Sequence, residues 1–201
     1  MPVMRLREFS VVVCAVAVIA AGQVRVAGQV QGPRPLPAAI DPIITTRLES
    51  LLATPNQVVI ADYYWIDMRF GPNLRVDAVV VLSPDARVLG KGLRVQVRDP
   101  ESRGRQDGTS FIDYDELVML SRALGTIVER AERWTHDDRR ATELFFTTMG
   151  GFRLAVRQSA RVPRAFISTG LFDPVVTSLD INDLPTLKSA FEQALTLLNS
   201  K

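Results

Sequence analysis

Residues 110–124 read SFIDYDELVMLSRAL, and this stretch decides the fold. A short apolar run ends at Asp113, and apolar residues then recur at helical spacing, from Leu117 to about Trp134. Asp113 and Glu116 have the spacing of a capping box, in which each side chain accepts a hydrogen bond from the other residue's backbone N–H. The stretch predicts a strand that passes directly into a helix beginning at Asp113.

The same pattern returns 67 positions later, where residues 177–191 read TSLDINDLPTLKSAF and lead into a helix over 183–199. The identical pairs are Asp113 and Asp180, Leu117 and Leu184, Leu120 and Leu187, and Ala123 and Ala190. The repetition predicts an internal duplication. The alternative is coincidence, because caps and apolar stripes are generic features of helices.

Strand-like runs rich in β-branched and aromatic residues precede each of the two helices. They cover 58–70, 74–82, 88–99 and 110–112 in the first half, and 143–149, 152–158, 162–169 and 175–179 in the second. Gly150 and Gly151 predict a hairpin turn with positive φ at both residues. A further helix is predicted over 41–53, with Asp41 as its N-cap.

The order of elements predicts an α+β fold of two antiparallel β-meander-plus-helix units, about 57–134 and 143–200, preceded by the N-terminal helix. In element order alone, this is similar to the Whirly group of single-stranded-DNA-binding proteins, which repeat a four-strand-plus-helix unit. The resemblance implies the fold and transfers no site residue, because no sequence motif carries it.

Residues 1–22, MPVMRLREFSVVVCAVAVIAAG, have the three parts of a secretory signal peptide. Arg5 and Arg7 precede an unbroken apolar run that ends at Ala21, and a transmembrane helix would need about 20 apolar residues. We expect cleavage after Gly22, with a cut after Gly28 or an uncleaved anchor as alternatives. An export signal also argues against a role on chromosomal or organellar DNA.

The rest of the chain is expected to be a Pro/Gly-rich flexible spacer over 23–38 and a single domain over 39–201. The protein would then be periplasmic or extracellular, with no stable membrane span after cleavage.

The chain has one His and one Cys among 201 residues, and its formal net charge is +2. These counts exclude a His–Cys zinc site and a disulfide framework, and the only cysteine, Cys14, lies in the segment that we expect to be cleaved off, which argues against a Cys–His nucleophilic pair. We interpret His136 as a solvated linker residue. The Gly90-Lys91-Gly92 sequence is too short for a phosphate-binding loop. The sequence therefore favours a non-catalytic protein without a metal or cofactor.

The first strand-like run separates aromatic and charged residues from apolar ones. Tyr63, Trp65 and Arg69 alternate with the apolar side chains, and arginines of other predicted strands extend this surface. The predicted ligand-binding residues are Tyr63, Trp65, Arg69, Arg75, Arg94, Arg98, Arg153 and Arg157.

A turn at 71–73 would place Asp67 opposite Asp77 and Arg69 opposite Arg75. The diagonal pairs Asp67/Arg75 and Arg69/Asp77 would then compensate the like charges. The alternative for the whole surface is that it packs against the second sheet, the N-terminal helix or a partner subunit.

Three functions fit these observations. The leading hypothesis is an exported binding or interaction module that uses the aromatic/arginine sheet face for an unknown protein or ligand. The second is a protein that binds a polyanion, either single-stranded nucleic acid or an acidic polysaccharide, because aromatic rings stack on bases or sugars and arginines pair with phosphate or sulfate. The third is a glycan hydrolase that uses carboxylates such as Asp62 and Asp67. Homo-oligomerisation stays open.

Overall fold

Eight strands and three α-helices make up the part of the chain that the computed structural model describes, residues 45–66, 73–99, 107–134, 139–160 and 162–201. The strands are β1 (Ile60–Ile66), β2 (Leu74–Leu82), β3 (Val88–Arg98), β4 (Asp107–Asp113), β5 (Arg139–Thr147), β6 (Arg153–Ala160), β7 (Val162–Thr169) and β8 (Val175–Leu179). The helices are α1 (Arg47–Ala53), α2 (Tyr114–Trp134) and α3 (Leu184–Asn199), and a 3-10 turn over Ile181–Asp183 precedes α3. The signal peptide, the spacer, Asp41, Asp67, Arg69 and His136 lie outside the described residues.

The strands form two four-stranded antiparallel sheets, each in chain order. The first sheet is β1-β2-β3-β4 and is followed by α2, and the second is β5-β6-β7-β8 and is followed by α3. The predicted α+β fold of two meander-plus-helix units is confirmed, with the element order expected from the resemblance to the Whirly group. Duplication as its origin stays a prediction.

One apolar core is shared by one face of each sheet and by both long helices. We call these the inner faces and the opposite ones the outer faces. The core includes Val76, Leu93 and Ile112 of the first sheet, Leu154 and Ile167 of the second, Leu117 and Leu120 of α2, and Leu187 and Phe191 of α3. The Phe191 ring contacts Phe152 edge-on, with centroids 6.0 Å apart. The two units therefore have a common interior.

The short helix α1 covers one end of the outer face of the first sheet, where Leu48 packs with Val79 and Val81. A Cβ on Gly92 would lie 2.5 Å from Leu48 Cδ1 and 2.1 Å from the Ile112 carbonyl oxygen. One on Gly90 would lie 2.6 Å from Leu51 Cδ1. The two glycines of the Gly-Lys-Gly sequence thus make room for this helix.

The predicted helix from Asp41 to Ala53 is too long, because Thr45 and Thr46 are not helical. Thr46 is the N-cap of α1. Its hydroxyl accepts a hydrogen bond from Glu49 N at 3.1 Å, and Glu49 Oε2 accepts one from Thr46 N at 3.1 Å. This reciprocal pair is a complete capping box, and it sets the start of the helix.

Asp113 lies directly before α2, at the expected N-cap position, and its N–H donates to the Glu116 carboxylate as in a capping box, but its own carboxylate binds a different helix. Its carboxylate accepts hydrogen bonds from Arg47 N at 2.7 Å and Leu48 N at 3.0 Å, the first two amides of α1. The first amides of a helix have no partner within the helix, so the end of β4 supplies one to α1.

The turn between β5 and β6 differs from the expected one, because only Gly151 has a positive φ, of 76°. Gly151 N–H donates to the Thr148 carbonyl at 3.2 Å, so the central residues of the turn are Met149 and Gly150. This is a hairpin loop with one left-handed residue after the turn, for which glycine is suited.

The predicted pairing of the first hairpin is shifted by two residues. Asp77 lies opposite Trp65, and Ile66 lies opposite Val76. A shift of two keeps every side chain on its own face, so the hydrophobic pattern does not distinguish the two registers.

Candidate functional site

The outer face of the first sheet brings four of the predicted site residues together around Asp77. Trp65, Asp77 and Arg94 form one cross-strand row. The Asp77 side chain is fully buried, and Arg75 Nε lies 3.1 Å from each of its carboxylate oxygens. Arg94 Nη2 lies 2.8 Å from Asp77 Oδ2, so one carboxylate holds two guanidinium groups and the cluster keeps a net positive charge.

Arg94 also contacts an aromatic ring. Its guanidinium carbon lies 4.1 Å from the centroid of the Tyr63 ring, a cation–π contact. The Arg94 side chain is 21% exposed, and Trp65 on the edge strand β1 is 67% exposed. We call Tyr63, Trp65, Arg75 and Arg94 the first face. The first face combines the Arg94 guanidinium group, which contacts Asp77 and Tyr63, with the exposed indole ring of Trp65 in the same cross-strand row.

Arg98 lies nearer the end of β3, on the same side of the sheet. It forms an ion pair with Asp107 at 3.0 Å, and both side chains are about half exposed. The hydrogen bond and charge of Asp107 raise the pKa of Arg98. Solvent screens an exposed ion pair of this kind, so it adds little to stability, and the half-exposed Arg98 side chain is accessible to a ligand.

The second sheet repeats this chemistry on its outer face. Glu143 lies 3.0 Å from Arg153 and 3.4 Å from Arg157. The guanidinium carbon of Arg153 is 4.3 Å from the centroid of the Phe145 ring, and that of Arg157 is 5.5 Å from the centroid of Phe166. The predicted residues that the structure describes therefore fall into two groups, one on each sheet.

Sequence reasoning missed Glu143, Phe145, Arg164 and Phe166 as neighbours of the predicted arginines. Strand alternation places Glu143 and Phe145 on the face opposite Leu144 and could have found them. The continuous apolar run of residues 144–146 obscures that alternation. Arg164 lies directly opposite Arg157 in the ladder, a relation that requires the register of β6 and β7.

Two other kinds of feature are absent from the described ranges. Within them, no group of three or more His, Cys, Asp or Glu side chains could hold a metal ion. No helix within those ranges is long and apolar enough to cross a membrane.

No family model and no curated protein matches the chain. Among solved structures, the crystal structure of WHY1 from Arabidopsis thaliana is similar at 12% sequence identity with a TM-score of 0.30. The similarity covers 72% of this chain and 88% of that chain. A likeness at this level carries no conclusion about the ligand of this protein.

Proposed function

We propose that the protein is an exported, non-catalytic binding module that takes its ligand on the first face. Export rests on the signal-peptide pattern of residues 1–22. The observation that carries the binding role is the exposed Trp65 ring in the same cross-strand row as Arg94, whose guanidinium group contacts Asp77 and Tyr63.

Stability alone is a poor explanation for this cluster. Burying a carboxylate costs several kcal/mol, and well-packed apolar residues often replace a buried ion pair without loss of stability. Asp77 and Tyr63 already restrict the conformation of the Arg94 side chain. Arg94 therefore loses little conformational entropy when a ligand binds. An aromatic ring next to a fixed guanidinium group suits a ligand that combines a flat or apolar surface with a negative charge or a hydrogen-bond acceptor.

The test is binding of the full chain to an array of glycans, nucleic acids and lipids at two salt concentrations. We expect Trp65→Ala and Arg94→Gln to weaken each interaction found by about tenfold or more, the equivalent of about 1.4 kcal/mol. Trp65→Ala leaves the Asp77 cluster intact, so its effect reports on contact with the ligand.

Arg133→Gln is the matched control, because this α2 arginine is 60% exposed and far from the first face in sequence. Interactions that both site variants leave unchanged would contradict the proposal. A loss shared equally by Arg133→Gln would point to net charge and not to this face.

Polyanion binding is the second candidate, and the second sheet favours it. Its outer face has three arginines, Arg153, Arg157 and Arg164, near the single carboxylate Glu143. Such a surface predicts binding that weakens steeply as salt rises, because condensed counterions are released from the polymer.

The measurement for this candidate is retention of the full chain on immobilised heparin and on a single-stranded oligonucleotide. We expect Arg153→Gln with Arg157→Gln to elute at lower salt than the parent and than Arg133→Gln. Failure of the parent to be retained even at low salt would contradict polyanion binding.

The described residues provide no observation in favour of a carboxylate-dependent hydrolase. Asp62 is on the face of β1 opposite to Tyr63 and Trp65, and Asp113 and Asp180 bind backbone amides.

A further inference from the structure

An open groove lies on the outer face of the second sheet, at the end where β5 begins and β6 ends. Its volume is about 570 Å³, which is within the range of about 300–1,000 Å³ typical of small-molecule sites. Two cross-strand rows form its floor, and Phe166 adds an aromatic ring. The rows are Ala141, Ser159 and Val162, and Glu143, Arg157 and Arg164.

The groove has an excess of positive charge. Arg157 and Arg164 lie directly opposite each other in the ladder, and like charges in that relation repel. Among the described residues, Glu143 is the one carboxylate in the lining, and it lies closer to Arg153, at 3.0 Å, than to Arg157, at 3.4 Å. In the described part of the chain no carboxylate pairs with Arg164, so the groove has one guanidinium group without an ion-pair partner next to that of Arg157 in the ladder.

The groove also has an apolar part. Val162 is 60% exposed, and the half-buried Phe166 ring lies beneath the Arg157 guanidinium. An apolar side chain next to two arginines favours a ligand that is both apolar and negatively charged. An inorganic anion would leave the apolar side chain exposed to water, and a neutral ring would leave the guanidinium groups without an anion.

We propose that this groove binds a small organic anion, a carboxylate on a planar apolar body. The carboxylate lies between Arg157 and Arg164, and the body packs on the exposed Val162 in the neighbouring cross-strand row. This inference goes beyond the leading proposed function, because the groove and the first face are on different sheets, and it assigns to Arg157 and Arg164 a small ligand where the second candidate assigns a polymer.

The test is isothermal titration of the full chain with three probes. Naphthalene-2-carboxylate has both features, naphthalene-2-carboxamide has the same shape without the charge, and acetate has the charge without the body. We expect saturable binding of the carboxylate and affinities at least tenfold weaker for the other two. Equal affinity for carboxylate and carboxamide, or no heat with any probe, would overturn the proposal.

Variants then assign the site. We expect Arg164→Gln to weaken binding of naphthalene-2-carboxylate at least tenfold while the far-UV circular dichroism stays unchanged, because Arg164 is exposed. Arg133→Gln, an exposed arginine on α2, should bind this probe like the parent. Parent-like binding by Arg164→Gln would place the ligand elsewhere, whereas loss with Trp65→Ala would move it to the first face.

Discussion

Glu116 is the residue whose surroundings most clearly oppose its charge. It is 8% exposed, and its Oε1 accepts a hydrogen bond from Met149 N at 2.7 Å. Its Oε2 is buried with no hydrogen-bond partner among the described residues. Burial raises the pKa of Glu116 above its ordinary value of 4.5, and the neighbouring charges of Asp113 and Asp115 raise it further. Hydrogen bonds from Met149 N and Asp113 N lower the pKa but do not cancel this shift.

This raised pKa predicts a specific dependence of stability on pH. The folded state binds the Glu116 proton more tightly than the unfolded state, so this residue's contribution favours folding at low pH and is lost as pH rises from 4.5 through the raised pKa. Glu116→Gln keeps an oxygen to accept from Met149 N and removes the titration. We expect the gain in unfolding free energy of Glu116→Gln over the parent to grow as pH rises through that window.

Urea unfolding of the parent and the variant across a pH series measures this difference. Glu129→Gln is the control, since Glu129 is a 60% exposed carboxylate on the same helix and is not among the charges that act on Glu116. A constant difference between Glu116→Gln and the parent at every pH would contradict the assignment.

At the scale of the element, α1 shows how a seven-residue helix is held in place. A helix of this length is unstable alone in water, because too few hydrogen bonds offset the cost of nucleation. Asp113 binds its first two amides, and Leu48 inserts into a small cluster separate from the main core. Both attachments are to the first sheet.

We therefore expect Asp113→Ala to release α1. Losing the carboxylate leaves two amides without their acceptor and costs about 1–3 kcal/mol. Hydrogen exchange at Arg47 N and Leu48 N should become faster, and Tm should fall. Asp180→Ala is the matched control, because Asp180 aligns with Asp113 but accepts from Asn182 N of its own turn at 2.9 Å. Equal protection of the α1 amides in both variants would contradict this role.

Some strand boundaries can be predicted from the sequence and others cannot. The predicted bounds of 74–82, 162–169 and 175–179 agree with β2, β7 and β8, because apolar patterns there end at turn-forming residues. Strand β4 begins at Asp107, three residues before the predicted start at Ser110. Its first residues are polar or glycine and have no apolar pattern that would predict a strand. A Cβ on Gly108 would lie 2.4 Å from Thr169 Oγ1, a constraint from the other sheet that has no local signal.

The candidate site likewise has features that the sequence predicts and features that it does not. Alternation along β1, β2 and β3 is a local property, and it is enough to place Tyr63, Trp65, Arg75 and Arg94 on one face. The two-residue shift in register and the Arg157–Arg164 pair depend on how strands meet, which a periodic pattern leaves open.

At the scale of the whole molecule, the packing of α3 joins the two units. This helix follows the second sheet in the chain, yet it contacts β1, β2 and β3 of the first sheet. Lys91 Nζ of β3 donates to the Leu198 carbonyl at its C-terminal end, at 2.9 Å. On the second sheet's side, Phe191 contacts Phe152 next to β6. Neither unit keeps its core without the other.

This shared packing predicts that the domain unfolds in one cooperative step and that Phe191→Ala destabilises both sheets together. Removing this buried ring should lower the unfolding free energy by about 3–5 kcal/mol, through lost apolar contact and the cavity left behind. Hydrogen exchange at amides of β2 and of β6 should then accelerate by the same factor, because both would exchange through the same global opening. Thr196→Ala, an exposed substitution on the same helix, should change neither. Faster exchange in β6 with β2 unchanged would show that the two units open separately, and α3 would then belong energetically to the second unit alone.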